Sequence, residues 1–198
     1  MGEPGRDDAG LIAEWSRLHH GLRPSRLVLG WLRPLWTIAR PLAAARVPPT
    51  AITVVGAGLA VAAGLLAGRW PLAALALVLA AVVADGLDGA VAVVGGRASR
   101  VGAMLDHVAD RVADTAFALV MWRCGAPLWL ALVAAGLSLV QELARRRVVI
   151  TVAERPTRVI CAVLACAAAA VSAASWPPTV CAAVWVAATV VALAQMTS

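Results

Sequence analysis

Five of the chain's eleven acidic residues, Asp85, Asp88, Asp106, Asp110 and Asp114, fall within the thirty-residue stretch DGLDGAVAVVGGRASRVGAMLDHVADRVAD. The flanks are so apolar that they belong in a membrane, where an ionised carboxylate is costly unless it is paired or faces a wet cavity. The chain contains no lysine, and its cationic residues are all arginine. A grouping of this kind does not serve solubility. It implies a cation among the carboxylates.

The spacing narrows the choice. On a helix Asp85 and Asp88 share a face, and on a following helix Asp106, Asp110 and Asp114, each four apart, share another. Gly95 and Gly96 mark a turn between the two, so the acidic faces are expected to meet across a hairpin. Like charges at that distance raise one another's pKa unless a cation neutralises them. Carboxylate oxygens with no His or Cys at matching spacing favour magnesium, manganese or calcium over zinc.

The pattern resembles the CDP-alcohol phosphotransferase family, also called CDP-alcohol phosphatidyltransferases. That family carries D-x-x-D-G-x-x-A-R, about eight residues, then G-x-x-x-D-x-x-x-D. Asp85, Asp88, Gly89, Ala92, Gly102, Asp106 and Asp110 all fall at its positions within a 26-residue frame. One position departs from it, with Val93 where the family has arginine.

The positioning elements follow from composition. Apolar residues make up 62% and charged residues 14%, and mean hydropathy is +0.85. These values indicate an all-α integral membrane protein. The first ten residues are polar and the first long apolar run begins near Ala51, so a secretory signal is not expected. No repeat of fixed period is visible.

Residues 1–25 read as a polar tail. Residues 26–48 read as an amphipathic arm lying in the headgroup plane, with Arg26, Arg33 and Arg40 recurring every seven positions among Leu and Trp. Pro34 and Pro41 predict that this arm is kinked or split. A hydrocarbon core of about 30 Å needs roughly 20 apolar residues. That ruler places six spans in residues 49–198, near 51–68, 72–94, 101–122, 127–144, 159–175 and 178–196. Fourteen arginines fall on one side of these spans, against Arg69 and Arg123 on the other. The positive-inside rule then puts the N-terminus and the aspartates on the cytoplasmic side. Trp70, Trp122, Trp129 and Trp176 gather at the opposite ends, as an aromatic belt does.

Cys124, Cys161, Cys166 and Cys181 have no metal-type spacing and read as small buried residues. His107 adjoins Asp106 but points about 100° away. The loop QELARRRVVITVAERPTRVI brings Arg145, Arg146, Arg147, Arg155 and Arg158 to the cytoplasmic side, where arginine binds phosphate or anchors the chain. Within it E-R-P-x-R resembles the start of the fifth span in phosphatidylinositol phosphate synthases of the same family.

The resemblance implies transfer of a phosphatidyl group from CDP-diacylglycerol to a polar alcohol, with release of CMP. Inositol phosphate is the first expectation for the acceptor and glycerol phosphate the alternative. It further implies two ions, Mg²⁺ or Mn²⁺, bridged by Asp85 and Asp106, with Asp88 completing one site and Asp110 the other. Asp110 would be the base, and Thr50, Thr53, Gly89, Ala92, Ser99 and Gly102 would lie along the CDP donor. Arg155 and Arg158 would hold the acceptor phosphate, and Arg97 could stand in for the arginine missing at Val93. Asp114 reads as an arginine's structural partner. The family also implies a homodimer among membrane lipids, with no role for nucleic acid. Two other classes stay open: a non-catalytic relative that binds lipid or nucleotide, suggested by Val93, and a cation transporter.

Overall fold

The computed structural model describes residues 26–144, 155–172 and 174–197. The tail 1–25 and Arg145, Arg146 and Arg147 lie outside the described residues. Every element among those described is a helix: α1 Arg26–Ala44, α2 Pro49–Leu66, α3 Pro71–Val94, α4 Arg100–Arg123, α5 Leu128–Ala144, α6 Arg155–Val171 and α7 Trp176–Thr197.

Proline sets most of the starts. Pro49 and Pro71 open α2 and α3, Pro127 directly precedes α5, and Pro156, Pro177 and Pro178 sit in the first turns of α6 and α7. The first N–H groups of a helix have no intrahelical partner, so proline loses nothing there. For this reason α6 begins at Arg155, four residues before the expected 159; it ends at Val171 instead of 175. Beyond it, Ser172 Oγ accepts the Ala174 N–H at 3.1 Å. Of the expected kink or split in α1, the split does not occur. The helix runs through Pro34 and Pro41, both exposed, as are Gly30 and Thr37, whose carbonyls the prolines leave without a partner.

Three helices end on a left-handed residue. Gly96 (φ 60°) ends α3 as the Arg97 N–H reaches back to the Ala92 carbonyl at 2.9 Å. Gly125 (φ 118°) follows α4 in the same way, with the Ala126 N–H on the Met121 carbonyl at 3.0 Å. After α1 the position is held by Arg46 (φ 59°), a residue that adopts this conformation at a cost of order 1–3 kcal/mol.

The fold divides into two compact units. The first comprises the chain up to Thr53 with Val83–Leu105, and the second comprises Val54–Val82 with the chain from Asp106 onward. In the first unit α1 buries Leu35 and Ala39, four apart, and leaves Arg33 and Arg40 exposed. The core of the second unit is built of small residues: Ala60, Ala63 and Ala74, then Ala113, Ala116, Ala134, Ala162, Ala165 and Ala182, around Phe117, Met121 and Trp185. Larger apolar residues point outward, among them Leu65, Leu72, Leu132, Leu143 and Val171. Small residues inside and large ones outside is the arrangement of helices packed in lipid, where close backbone approach takes over from the hydrophobic effect. Polar groups inside this core pair with one another: Trp185 Nε1 donates to Ser138 Oγ at 2.9 Å, and Ser138 Oγ donates to the Ala134 carbonyl at 2.9 Å.

Among the described residues Pro49–Leu66, Pro71–Val94 and Trp176–Met196 are long and apolar enough to cross a membrane, and α5 is a shorter apolar helix. This is an integral membrane protein. α4, at 24 residues, is long enough to span but carries Asp106, Asp110, Arg111 and Asp114; α6 has 17 residues.

The closeness of the packing can be tested at Gly64. A Cβ there would stand 2.9 Å from Leu119 Cδ2 and 3.1 Å from the Ala116 carbonyl, whereas at exposed Gly136 it would meet nothing within 4 Å. Gly64→Ala is expected to destabilise by about 1–3 kcal/mol and to lower the thermal midpoint in detergent. Gly136→Ala should leave it unchanged or higher.

Candidate active site

In the first unit the site is built on α3. Asp85 and Asp88 lie one turn apart, with a carboxylate oxygen of each within 4.8 Å of the other. Oxygens so spaced can both reach one hard cation at about 2.0–2.6 Å. Asp88 is 6% exposed, and both its oxygens are held. Oδ2 accepts from Thr53 Oγ1 at 2.6 Å and Oδ1 from the Gly89 N–H at 2.6 Å. Thr53, itself buried in the first turns of α2, thus reaches a carboxylate 35 residues along the chain. These donors fix the direction in which the carboxylate faces. Sequence reasoning placed Thr53 along the donor and did not foresee this bond.

The other expected donor residues are distributed around α3 and the start of α4. Thr50 and Ala92 are half-buried. Gly89 is exposed, and a Cβ on it would meet nothing within 4 Å, so the space beside Asp88 is open. Ser99 caps α4, its Oγ accepting the Gly102 N–H at 3.0 Å. A Cβ on Gly102 would press on that hydroxyl at 3.1 Å, so both residues serve the helix start. Val93 is half-buried near the end of α3, and Arg97 is exposed just beyond Gly96.

In the second unit α4 presents Asp106, half-buried, then Asp110 and Asp114; His107 is exposed. Arg155, at the start of α6, donates from Nη1 to Asp110 Oδ1. One turn along, Arg158 donates from Nη1 to Asp114 Oδ2 and from Nη2 to Gln141 Oε1 of α5, the latter at 2.9 Å. Arg111 Nη1 lies 3.2 Å from Asp114 Oδ2 and 3.6 Å from Glu142 Oε2. Asp114 is therefore an arginine's partner. The two arginines of α6 differ sharply in access. Arg155 and Asp110 are 28% and 19% exposed, Arg158 and Asp114 only 4% and 6%. Gln141 and Glu142 were not anticipated. Their signal is faint: two polar residues closing an otherwise apolar helix.

The sequence model of the CDP-alcohol phosphatidyltransferase family matches residues 46–196, which include both groups of aspartates and the arginines of α6. None of the curated proteins matches the chain. Among solved structures it is similar to Mycobacterium tuberculosis phosphatidylinositol phosphate synthase with CDP-DAG bound. That likeness has a TM-score of 0.68 at 26% identity and covers 84% of this chain and 94% of that one. The same enzyme in complex with manganese and citrate is equally similar, at a TM-score of 0.68 and 26% identity over 83% of this chain and 89% of that one. With a family match that takes in all but the N-terminal quarter of the sequence, this chain belongs to the CDP-alcohol phosphatidyltransferase family.

Proposed function

We propose that this protein moves a phosphatidyl group from CDP-diacylglycerol to a phosphorylated polar alcohol and releases CMP. Inositol phosphate is the first candidate for the acceptor and glycerol phosphate the second. The observation that carries the acceptor reading is the contact between Arg155 and Asp110: a half-exposed guanidinium sits against the carboxylate that stands at the family's last motif position. Support for the donor comes from the family match and from the CDP-DAG held by the mycobacterial enzyme.

Carboxylates suit hard divalent ions, and we assign two, Mg²⁺ or Mn²⁺: Asp85, Asp88 and Asp106 would serve the first, and Asp106, Asp85 and Asp110 the second. When bound, such ions supply positive charge for the attacking and leaving oxygens of a phosphoryl displacement. Asp110 takes the proton of the acceptor hydroxyl. The freed oxygen attacks the phosphorus of the phosphatidyl group as the bond to the CMP oxygen breaks. Arg155, with Arg158 one turn behind it, serves the acceptor phosphate. Thr53 holds Asp88 in place, and Thr50, Gly89, Ala92, Ser99 and Gly102 border the donor, where Gly89 leaves room for close approach. Arg97 supplies positive charge on the donor side, where Val93 supplies none.

The setting extends the same reading. Six spans, α2 to α7, cross the bilayer, and α1 lies in the headgroup plane. The N-terminus and the aspartates face the cytoplasm, and the protein works as a homodimer.

Three measurements on purified protein test this. Asp85→Asn, Asp88→Asn, Asp106→Asn and Asp110→Asn should each cut metal-dependent CMP release on the order of 100-fold or more while the protein stays folded. Full activity in EDTA would sink the metal reading, and a fully active variant the role of that residue. Thr53→Val removes the bond that aims Asp88, along with a longer one to the Pro49 carbonyl at 3.2 Å, so Mn²⁺ affinity, read by titration, should fall roughly 10–100-fold; unchanged affinity would return Thr53 to the donor. With a panel of acceptors, Arg155→Ala should raise the acceptor KM about ten- to a hundredfold, the worth of a charged hydrogen bond, and leave the donor KM alone. A wild type that prefers an uncharged alcohol would refute the acceptor assignment. Acceptor-independent inertness in the presence of Mg²⁺ and donor would favour the non-catalytic relative.

A further inference from the structure

Two rungs join α4 to α6. Asp110 and Asp114 are one turn apart on α4, Arg155 and Arg158 nearly one turn apart on α6, and the pairs match in order. The upper rung is half-open and the lower is sealed. Gln141 of α5 holds the second nitrogen of Arg158, and Arg111 reaches both Asp114 and Glu142 of α5. Three helices are thus tied at one buried point by directional bonds.

The remaining contacts of α6 set its height poorly. Apart from Arg158 its fully buried residues are Cys161, Ala162, Ala165 and Cys166, with Val159 and Val163 partly buried against the core, and such short side chains interlock less than the large ridges that fix one helix along another. Nor is the lower rung needed for stability as such, because a buried ion pair roughly cancels its own desolvation and can often be replaced by apolar residues without loss. What it supplies is register. A slide of α6 by one turn would leave one aspartate and one arginine without these partners and would part Arg158 from Gln141, which no second residue replaces in the pairing.

Resting on the acceptor reading above, we propose that Asp114, Arg158 and Gln141 are positioning residues. They fix α6 against α4 so that Arg155 stands at the level of Asp110. Arg155 alone then touches the acceptor phosphate, and Arg158 touches no substrate. Drawing Arg158 onto a phosphate would strip Asp114 of its closest partner in a site that water does not reach.

The test uses the full-length protein in lipid nanodiscs, with CDP-diacylglycerol and inositol phosphate or glycerol phosphate both varied. Single substitutions leave a buried charge unpaired and can fail to fold, so the central variant is the double, Asp114→Leu with Arg158→Met. It should fold with an unchanged or higher thermal midpoint, yet show an acceptor KM roughly 10–100-fold higher, the scale of a small misplacement at a reacting centre, with the donor KM unchanged. Asp114→Asn, which keeps Arg158 and frees it, should raise the acceptor KM too, and less than additively with Arg158→Met. If Asp114→Asn instead leaves or lowers that constant while Arg158→Met raises it, Arg158 binds the phosphate itself and the proposal falls. If the double variant keeps wild-type constants, the pair is only structural and the proposal falls as well.

A readout independent of substrate separates this from failure of the acceptor reading. Spin labels at Val108 on α4 and Ile160 on α6, both exposed, with Cys124 and Cys181 replaced by alanine, report the distance between the helices. The distribution should broaden or shift in the double variant. An unchanged distribution overturns the positioning role whatever the acceptor proves to be, whereas a wild type with no phosphorylated acceptor refutes only the acceptor reading.

Discussion

A carboxylate shut away from water is costly unless its charge is met, and Asp114 has two cations: Arg158 as a direct partner and Arg111 a little further off. Much of the second unit is arranged around that requirement. Arg158 brings in Gln141, Arg111 brings in Glu142, and α4, α5 and α6 are drawn together where they would otherwise share only small apolar surfaces. Arg155 and Asp110 repeat the pairing one turn away, closer to solvent, where the side chains keep some freedom. The same motif of acid and arginine is therefore rigid at one level and available at the next.

In the first unit Asp88 is nearly as buried as Asp114, and its partners include a hydroxyl and a backbone N–H. Neutral donors of this kind orient a carboxylate without cancelling its charge, whereas the guanidinium on Asp114 does both.

Much of this was legible in the sequence. The three- and four-residue spacing of the aspartates placed them on α3 and α4, Gly95 and Gly96 placed the turn, and proline marked helix starts to within a few residues. Asp114 read as an arginine's partner because it lies beyond the family motif. What could not be read were contacts between distant positions. Thr53 and Asp88 are 35 residues apart and Arg158 and Asp114 are 44 apart, and a helix period says only which residues share a face, not which faces meet. Arg155 and Arg158 looked alike for the same reason: three apart on one helix, they differ only in what covers them. Pro34 and Pro41 do not split α1, because their cost depends on whether the orphaned carbonyls are exposed, a property of the fold.

The pairing across α4 and α6 also bears on how the chain is made. α4 is made with Asp106, Asp110, Arg111 and Asp114, and the arginines that pair with Asp110 and Asp114 follow some forty residues later. Until α6 has been made, those two carboxylates lack the guanidiniums that meet them in the folded chain. Burying a carboxylate without such a partner is costly, so this part of α4 can close up only once α6 has joined it.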